Sequence, residues 1–199
     1  MRRRRGVGIL AMTAAVAVSA CHHYDPYPWP RPGDPSATVL ENQLSQRDSL
    51  QDAANDLIAV AADMREAVQR AYPATHWSAT PGAHGGQSDC GPPFTFLTGT
   101  IYELPGWTAP APPSGAERNA VVAAVADVLR AHHAEKIDVT PGQSVRGTLP
   151  REHGYPEFII NNPPAPYRPL MSIKGATGCH HAAPGPGPWD TPATPTPTP

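Results

Sequence analysis

Histidine is the residue type whose number and spacing most suggest chemistry in this chain. Nine are present, and six of them occur as three adjacent pairs. Imidazole is the commonest protein ligand for zinc, copper and nickel. Four histidines close to Cys90 or Cys179 form the candidate metal site: His76, His84, His180 and His181. No H-E-x-x-H, H-x-H or Cys-x-x-Cys spacing supports that site, so solvated loop histidines are the alternative interpretation.

Serine-centred patterns are a weaker chemical lead. Ser88 and Ser144 each lie in a stretch that misses the G-x-S-x-G nucleophile pattern by one residue, and neither stretch joins a predicted strand to a helix. The sequence also lacks a phosphate-binding loop and a dinucleotide-binding fingerprint. We therefore expect a protein that is not an enzyme and needs no cofactor, with a hydrolase as the weaker alternative.

Aromatic side chains in loops suggest a third possibility, a binding groove. Three of them lie in Pro- and Gly-rich segments and one lies on a predicted strand: Trp77, Trp107, Tyr167 and Tyr102. Ligand pockets are mostly apolar with a few polar groups. These four residues could line a groove for a small apolar ligand or a peptide. The alternative is that they pack under long loops.

The N-terminus has the layout of an export signal. Four arginines follow Met1, and residues 6–18 form an apolar run without a charge, which is shorter than the roughly 20 residues of a membrane-spanning helix. Val18-Ser19-Ala20-Cys21 is similar to the lipobox of bacterial lipoproteins. We therefore predict a signal peptide at residues 1–20, and the resemblance makes Cys21 the first residue of the mature chain.

The lipoprotein resemblance implies how the protein is held. The Cys21 thiol would receive a diacylglyceryl group, and its amino group a further acyl chain such as palmitate. Two or three acyl chains anchor a protein stably. The implied location is the extracytoplasmic face of the cell membrane. An ordinary secretion signal is the alternative, and both the general secretory and the twin-arginine routes remain open.

Composition limits the choice of partners. Residues 1–20 contain four of the 15 basic residues and none of the 17 acidic ones, so the predicted mature chain has 11 basic and 17 acidic residues and a net charge of −6. Nucleic acids and anionic lipid surfaces are bound through basic patches. We therefore expect no nucleic-acid partner.

The cysteine count agrees with a lipidated Cys21. Three cysteines leave an odd thiol in an exported protein. If Cys21 carries lipid, Cys90 and Cys179 remain as one possible pair, which should oxidise outside the cytoplasm. A catalytic or metal-binding thiol is the competing interpretation.

Proline is placed unevenly and indicates the domain limits. Many of the 27 prolines lie near the two ends of the chain, where they prevent helices and central strands. We predict an extended tether over residues 21–37, one domain over residues 38–183, and a disordered tail over residues 184–199. The Thr-Pro repeats of the tail could accept O-linked sugars.

The hydrophobic patterns of residues 38–183 predict two helices and about four strands. A 4-3-4-3 apolar spacing indicates one long helix over residues 38–72, ended by Pro73. Ser114 to Glu117 form a capping box that opens a second helix. The strand candidates lie at residues 94–104, at 137–140 with a continuation to 149, at 157–161 and at 170–174. This order predicts an α+β domain, with both helices packed on one face of a mainly antiparallel sheet.

Several of these features together resemble the LppA-like lipoproteins of mycobacteria. They are the lipobox, the long helix ended by proline, Trp77-Ser78, Cys90 before a Phe-Thr-Phe stretch, and Gly178-Cys179. The resemblance spans most of residues 38–181 and leaves out the proline tether and the tail. That family brings no established activity, so the resemblance implies an envelope location and a disulfide but no catalytic residues. The leading hypothesis is a lipid-anchored binding domain with an unknown protein or small apolar ligand as partner.

Overall fold

The computed structural model describes residues 29–79, 85–164 and 166–190. The predicted signal peptide, Cys21 and His84 lie outside these residues. The described chain forms three α-helices, a six-stranded antiparallel sheet and a two-stranded antiparallel sheet. The predicted α+β class is confirmed, with one more helix and four more strands than the sequence suggested.

The elements are numbered in chain order. The helices are α1 (Pro35–Ser45), α2 (Leu50–Ala71) and α3 (Gly115–Ala131). The strands are β1 (Ser78–Ala79), β2 (Gly86–Asp89), β3 (Thr100–Glu103), β4 (Trp107–Pro110), β5 (Lys136–Thr140), β6 (Ser144–Thr148), β7 (Glu157–Asn161) and β8 (Leu170–Lys174). Two short 3-10 helices lie at Pro150–Glu152 and Pro188–Asp190. In this part of the chain no helix is both long and apolar enough to cross a membrane.

The predicted single helix over residues 38–72 is wrong, because it is broken into α1 and α2. Ser49 leaves the helical conformation and caps α2, since its hydroxyl accepts a hydrogen bond from the Asp52 amide at 3.2 Å. The apolar stripe of α2 is buried as its spacing predicted, with Leu57 and Met64 fully inside the core. The helix ends before Pro73, as expected.

Helix α1 begins inside the predicted tether and does not project from the domain. Pro35 occupies its first turn, where a missing amide hydrogen costs nothing. Leu44 is 1% exposed and packs against the Cys90–Cys179 disulfide and Phe94 in a second, smaller core. The helix therefore belongs to the folded body.

Helix α3 begins and ends where its sequence signals place it. The predicted capping box is present, with the Ser114 hydroxyl accepting from the Glu117 amide and the Glu117 side chain accepting from the Ser114 amide. Leu129 lies against β6, where a Cβ atom on Gly147 would stand 2.9 Å from its methyl groups. Glycine therefore allows the close approach of α3 to the sheet.

The six-stranded sheet has the order β1-β4-β8-β7-β6-β5. Val145, Phe158 and Ile173 lie in one row across β6, β7 and β8, and all three are fully buried in the core that α2 and α3 share. The next row, which includes Arg146 and Lys174, faces the opposite side of the sheet, and both of these residues are exposed. The helices thus cover one face, and the predicted bounds of β7 and β8 are confirmed.

The predicted strand over residues 94–104 is only partly correct. Residues 94–99 form turns, because Phe94 and Leu97 turn inward to pack with the disulfide instead of alternating. Only β3 is a strand, paired with β2, and its other edge bridges to the segment after β8 through Thr100 and His180. The Cys90–Cys179 bond, with a Cα–Cα distance of 5.6 Å, fastens that segment to the end of β2.

The ordered chain extends beyond residue 183, where the disordered tail was expected to begin. Trp189 is half-buried and packs on the main core, with its ring 6.0 Å from that of Tyr102. Gly187 makes this possible, since a Cβ atom there would stand 2.1 Å from the Trp189 ring. Residues 184–190 therefore belong to the domain.

Candidate binding site in a histidine and aspartate cleft

Three of the four histidines of the candidate metal site lie in the described residues, namely His76, His180 and His181. His180 is fully buried, and its two ring nitrogens each lie 3.0 Å from a backbone carbonyl oxygen, those of Asp48 and Glu152. Neither nitrogen is open to a metal. His76 is exposed, and His181 contacts the carboxylate of Glu41. Within the described ranges no group of three or more histidine, cysteine or acidic side chains could hold a metal ion.

The four aromatic residues of the predicted groove take up different roles. Trp77 and Trp107 flank Arg65 on α2: the Trp77 indole donates to the Arg65 carbonyl at 3.3 Å, and the Arg65 guanidinium stacks over Trp107 at 4.4 Å. Tyr102 is buried against the main core, and Tyr167 is 71% exposed. Trp77, Tyr102 and Trp107 therefore pack against the main core, whereas Tyr167 does not.

A polar cleft that the sequence did not reveal lies between α2, the end of α3 and the 3-10 helix at Pro150–Glu152. Its volume is about 420 Å³, within the usual range of roughly 300 to 1,000 Å³ for small-molecule sites. The cleft is lined by nine residues, namely Asp56, Val60, Ala131, His132, His133, Leu149, Pro150, Arg151 and His153. The floor is apolar, and histidine, aspartate and arginine form the walls.

Two aspartate–histidine pairs define the chemistry of this cleft. His132 Nε2 lies 2.7 Å from Asp63 Oδ2, and His153 Nδ1 lies 2.6 Å from Asp56 Oδ2. Asp56 and Asp63 are seven residues apart on α2, which is about two helical turns and places both on one face of the helix. One helix thus orients two imidazole rings from distant parts of the chain.

Asp48 joins the cleft to the link between α1 and α2. Its carboxylate lies 2.8 Å from His153 Nε2 and 3.0 Å from the Arg151 guanidinium. The hydrogen bond from Arg151, followed by that from His153, holds the pKa of Asp48 below its ordinary value of 3.8. His153 therefore lies between two carboxylates, and both contacts are hydrogen bonds when the ring is protonated, since only then do both nitrogens donate.

Backbone strain is concentrated at the same place. Among the described residues, the non-glycine residues with positive φ are His133 at 55°, Arg151 at 54° and Glu152 at 59°. His133 and Arg151 line the cleft, while Arg151 and Glu152 line a neighbouring one of about 420 Å³. Such conformations cost of order 1 to 3 kcal/mol each and cluster at binding sites.

The positive φ of His133 also has a local cause. The Ala134 amide donates to the Leu129 carbonyl at 2.9 Å and the His133 amide to that of Arg130 at 3.0 Å, which is the Schellman arrangement at the end of α3. Glycine is the usual residue at this position. Histidine here places an imidazole at the mouth of the cleft instead.

In the sequence, His132 and His133 are one of three adjacent histidine pairs, and no motif distinguishes Asp63 from other acidic residues. The structure pairs His132 with Asp63 and His153 with Asp56 at the cleft, and Asp48, which lines the neighbouring cleft, also contacts His153. One signal was available, namely two aspartates seven residues apart on the polar side of a predicted helix. The partners of these aspartates lie 69 and 97 residues away, and no local pattern identifies them.

The described residues define a disulfide-closed α+β domain with a polar cleft beside its two longest helices. A profile of the LppA family, described as a lipoprotein confined to pathogenic Mycobacterium, matches residues 25–151. The chain belongs to this family, which assigns it to the envelope lipoproteins and confirms the resemblance seen in the sequence.

Other comparisons add little to this assignment. The crystal structure of a protein from Mycobacterium tuberculosis, described as the lipoprotein LppA, is similar to this chain at 11% sequence identity. The match covers 74% of this chain and 86% of that one, with a TM-score of 0.48, and a likeness at that level carries no argument. No curated protein matches the chain significantly.

Proposed function

We propose that the protein is exported, anchored to the cell membrane through lipid on Cys21, and binds a small polar ligand in the histidine and aspartate cleft. The family assignment and the lipobox at residues 18–21 support the anchor. The cleft supports the binding role. The protein acts by holding a ligand at the extracytoplasmic face of the membrane, without catalysis.

One observation carries the binding proposal: two aspartate–histidine pairs and Arg151 meet at one cleft. Both ring nitrogens of His153 contact carboxylates, so ligand contacts fall to Nδ1 of His132, to the His133 ring and to Arg151. Imidazole can donate or accept and guanidinium donates only, so these groups suit a polar ligand with hydrogen-bond acceptors. The paired carboxylates fix the orientation of both rings. Val60 and Leu149 supply an apolar floor for the body of the ligand.

The binding role is tested with a library of small polar compounds. Compounds that bind should raise the melting temperature of the wild-type protein and lose this effect in a His132→Ala variant. His76→Ala, which removes an exposed histidine outside the cleft, is the matched control and should retain the effect. Binding that persists in His132→Ala, or a library without any binder, would contradict the proposal.

The anchor is tested separately. Wild-type protein should partition with membranes and incorporate labelled palmitate, and a Cys21→Ala variant should incorporate none. Intact-mass measurement of the extracted protein should give residues 21–199 plus acyl chains. A Cys21→Ala variant that still carries label, or a wild-type mass without acyl chains, would rule out this anchor while leaving the cleft unaffected.

A further inference from the structure

Arg65 on α2 is a half-buried cation that has no acidic partner in the part of the chain that the structure describes. Its Nε atom is shielded from solvent and has no hydrogen-bond partner among the described residues. Its one described side-chain interaction is the stacking of the guanidinium over the Trp107 ring at 4.4 Å. Burial lowers the pKa of this guanidinium. Burying a charge is costly unless the charge is paired. An anion beside this guanidinium would therefore be stabilising.

The residues near Arg65 on α2 and on the adjoining strands do not supply this anion. Residues three and four positions away on α2 are alanine, valine and glutamine, so no helical neighbour can form an ion pair with Arg65. The adjoining strands β1 and β4 contain no acidic residue. Outside the described residues the sequence holds a single acidic side chain, Asp25, besides the terminal carboxylate. The missing anion therefore has few sources within the chain.

We propose that Arg65 and Trp107 form a second binding site, which takes the carboxylate of an apolar organic acid. Because Nε is shielded from solvent, the two terminal nitrogens of the planar guanidinium supply the paired N–H donors that match the two oxygens of a carboxylate. Trp107 holds the guanidinium in place by stacking, and the indole of Trp77 lies beside the same helical turn. These two half-buried rings supply apolar surface for the body of the acid.

A carboxylate fits this site better than a phosphate. A phosphate dianion is usually held by several cations or by the amides of a helix N-terminus. Arg65 lies within α2 and away from its N-terminus, so no free helix amides are available there. One guanidinium in that position matches a single negative charge. The site is separate from the histidine and aspartate cleft and goes beyond the function proposed for it.

Benzoate is the probe for this site, titrated into the detergent-extracted mature chain at constant ionic strength. Saturable quenching of tryptophan emission is expected, together with a shift of the Arg65 Nε–H resonance. Arg65→Gln should weaken binding about tenfold or more, since charge-assisted hydrogen bonds are lost. Arg70→Gln removes an exposed arginine that pairs with Glu66 on the same helix, and it should leave benzoate affinity unchanged.

Three results would overturn the proposal. They are benzoate binding that is equal in wild type and Arg65→Gln, equal binding of uncharged benzyl alcohol, and inorganic phosphate binding more tightly than benzoate. If Arg65→Gln does not fold, the Arg65 Nε–H resonance of the wild-type protein is followed during the benzoate titration. The absence of a shift would then contradict the proposal. A Trp107→Phe variant, which keeps an aromatic ring at this position but weakens the stacking, should then bind benzoate less tightly than wild type. The cleft is unaffected by any of these outcomes, because its test rests on His132.

Discussion

The rings of His153 and His180 lie edge to face, with their centroids 5.9 Å apart. Asp48 contacts both: its carboxylate lies 2.8 Å from His153 Nε2 and its backbone carbonyl 3.0 Å from His180 Nδ1. The Glu152 carbonyl lies 3.0 Å from the other nitrogen of His180. Two imidazoles thus join the link between α1 and α2 to the 3-10 helix and to the segment after β8.

Loss of His153 should destabilise the domain. His153→Ala removes the hydrogen bonds to Asp48 and Asp56 at a position that is 9% exposed. Asp56 then loses its histidine partner, whereas Asp48 keeps its contact with Arg151. The free energy of unfolding should fall by about 1 to 3 kcal/mol in urea titrations. His133→Ala, at an exposed position of the same cleft, serves as the control, and a comparable loss in both variants would count against this role of His153.

Stability should decrease in acid. Burial alone would raise the pKa of Glu157, but the hydrogen bonds from Lys174 and Arg146 outweigh it, and the pKa lies below its ordinary value of 4.5. The pKa of Asp48 is likewise below its ordinary value of 3.8. Both carboxylates therefore favour folding when ionised, and this contribution is present above pH 4.5 and is lost as the pH falls through the lowered values.

The pH dependence can be assigned by substitution. The free energy of unfolding of the wild-type protein, measured from pH 7 to pH 2.5, should fall most steeply below about pH 4.5. Glu157→Gln should be less stable than wild type at neutral pH and show a shallower decrease in acid. A Glu157→Gln curve parallel to that of wild type would show that this carboxylate is not part of the cause.

The disulfide should be a large contributor to stability. Replacing both Cys90 and Cys179 by serine frees a closed loop of 89 residues, and the expected loss is about 3 to 5 kcal/mol. Reduction of the wild-type protein should lower the free energy of unfolding by the same amount. Agreement between the two values would show that the loss comes from the missing bond and not from the serine side chains. A reduced protein as stable as the oxidised one would contradict this expectation.

Trp189 should contribute to the stability of the domain, although the sequence predicted a disordered tail at this position. Its contact with Tyr102 and the main core predicts that Trp189→Ala lowers the free energy of unfolding by about 1 to 3 kcal/mol. Tyr167→Ala removes an aromatic ring that is 71% exposed and should change stability by less than about 0.5 kcal/mol. Equal effects of the two substitutions would show that Trp189 does not pack as described.

Elements with strong local signals were predictable from the sequence. The capping box of Ser114 and Glu117 located the start of α3, and β-branched and aromatic runs located β7 and β8. The break before α2 also had a local signal, because Ser49 followed three residues later by Asp52 is a capping sequence. The longer apolar spacing concealed this signal, since it continues across the break.

The site was not predictable in the same way. The partners in the cleft are far apart in sequence, and packing of α3 against α2 brings His132 to Asp63. The burial of His180 likewise depends on carbonyl groups of Asp48 and Glu152, which have no side-chain signature. Predictions for Cys21 and His84 lie outside the described residues and remain predictions.

The first turn of α2 is hydrogen-bonded to the segment that follows Cys179. The Leu50 amide donates to the His181 carbonyl at 2.9 Å, and Gln51 exchanges two hydrogen bonds of 2.8 Å with the backbone of Ala183. These partners lie more than 130 residues apart, so a ribosome must synthesise nearly the whole chain before they can meet. A nascent chain therefore cannot complete the first turn of α2 until residues 181–183 have been synthesised.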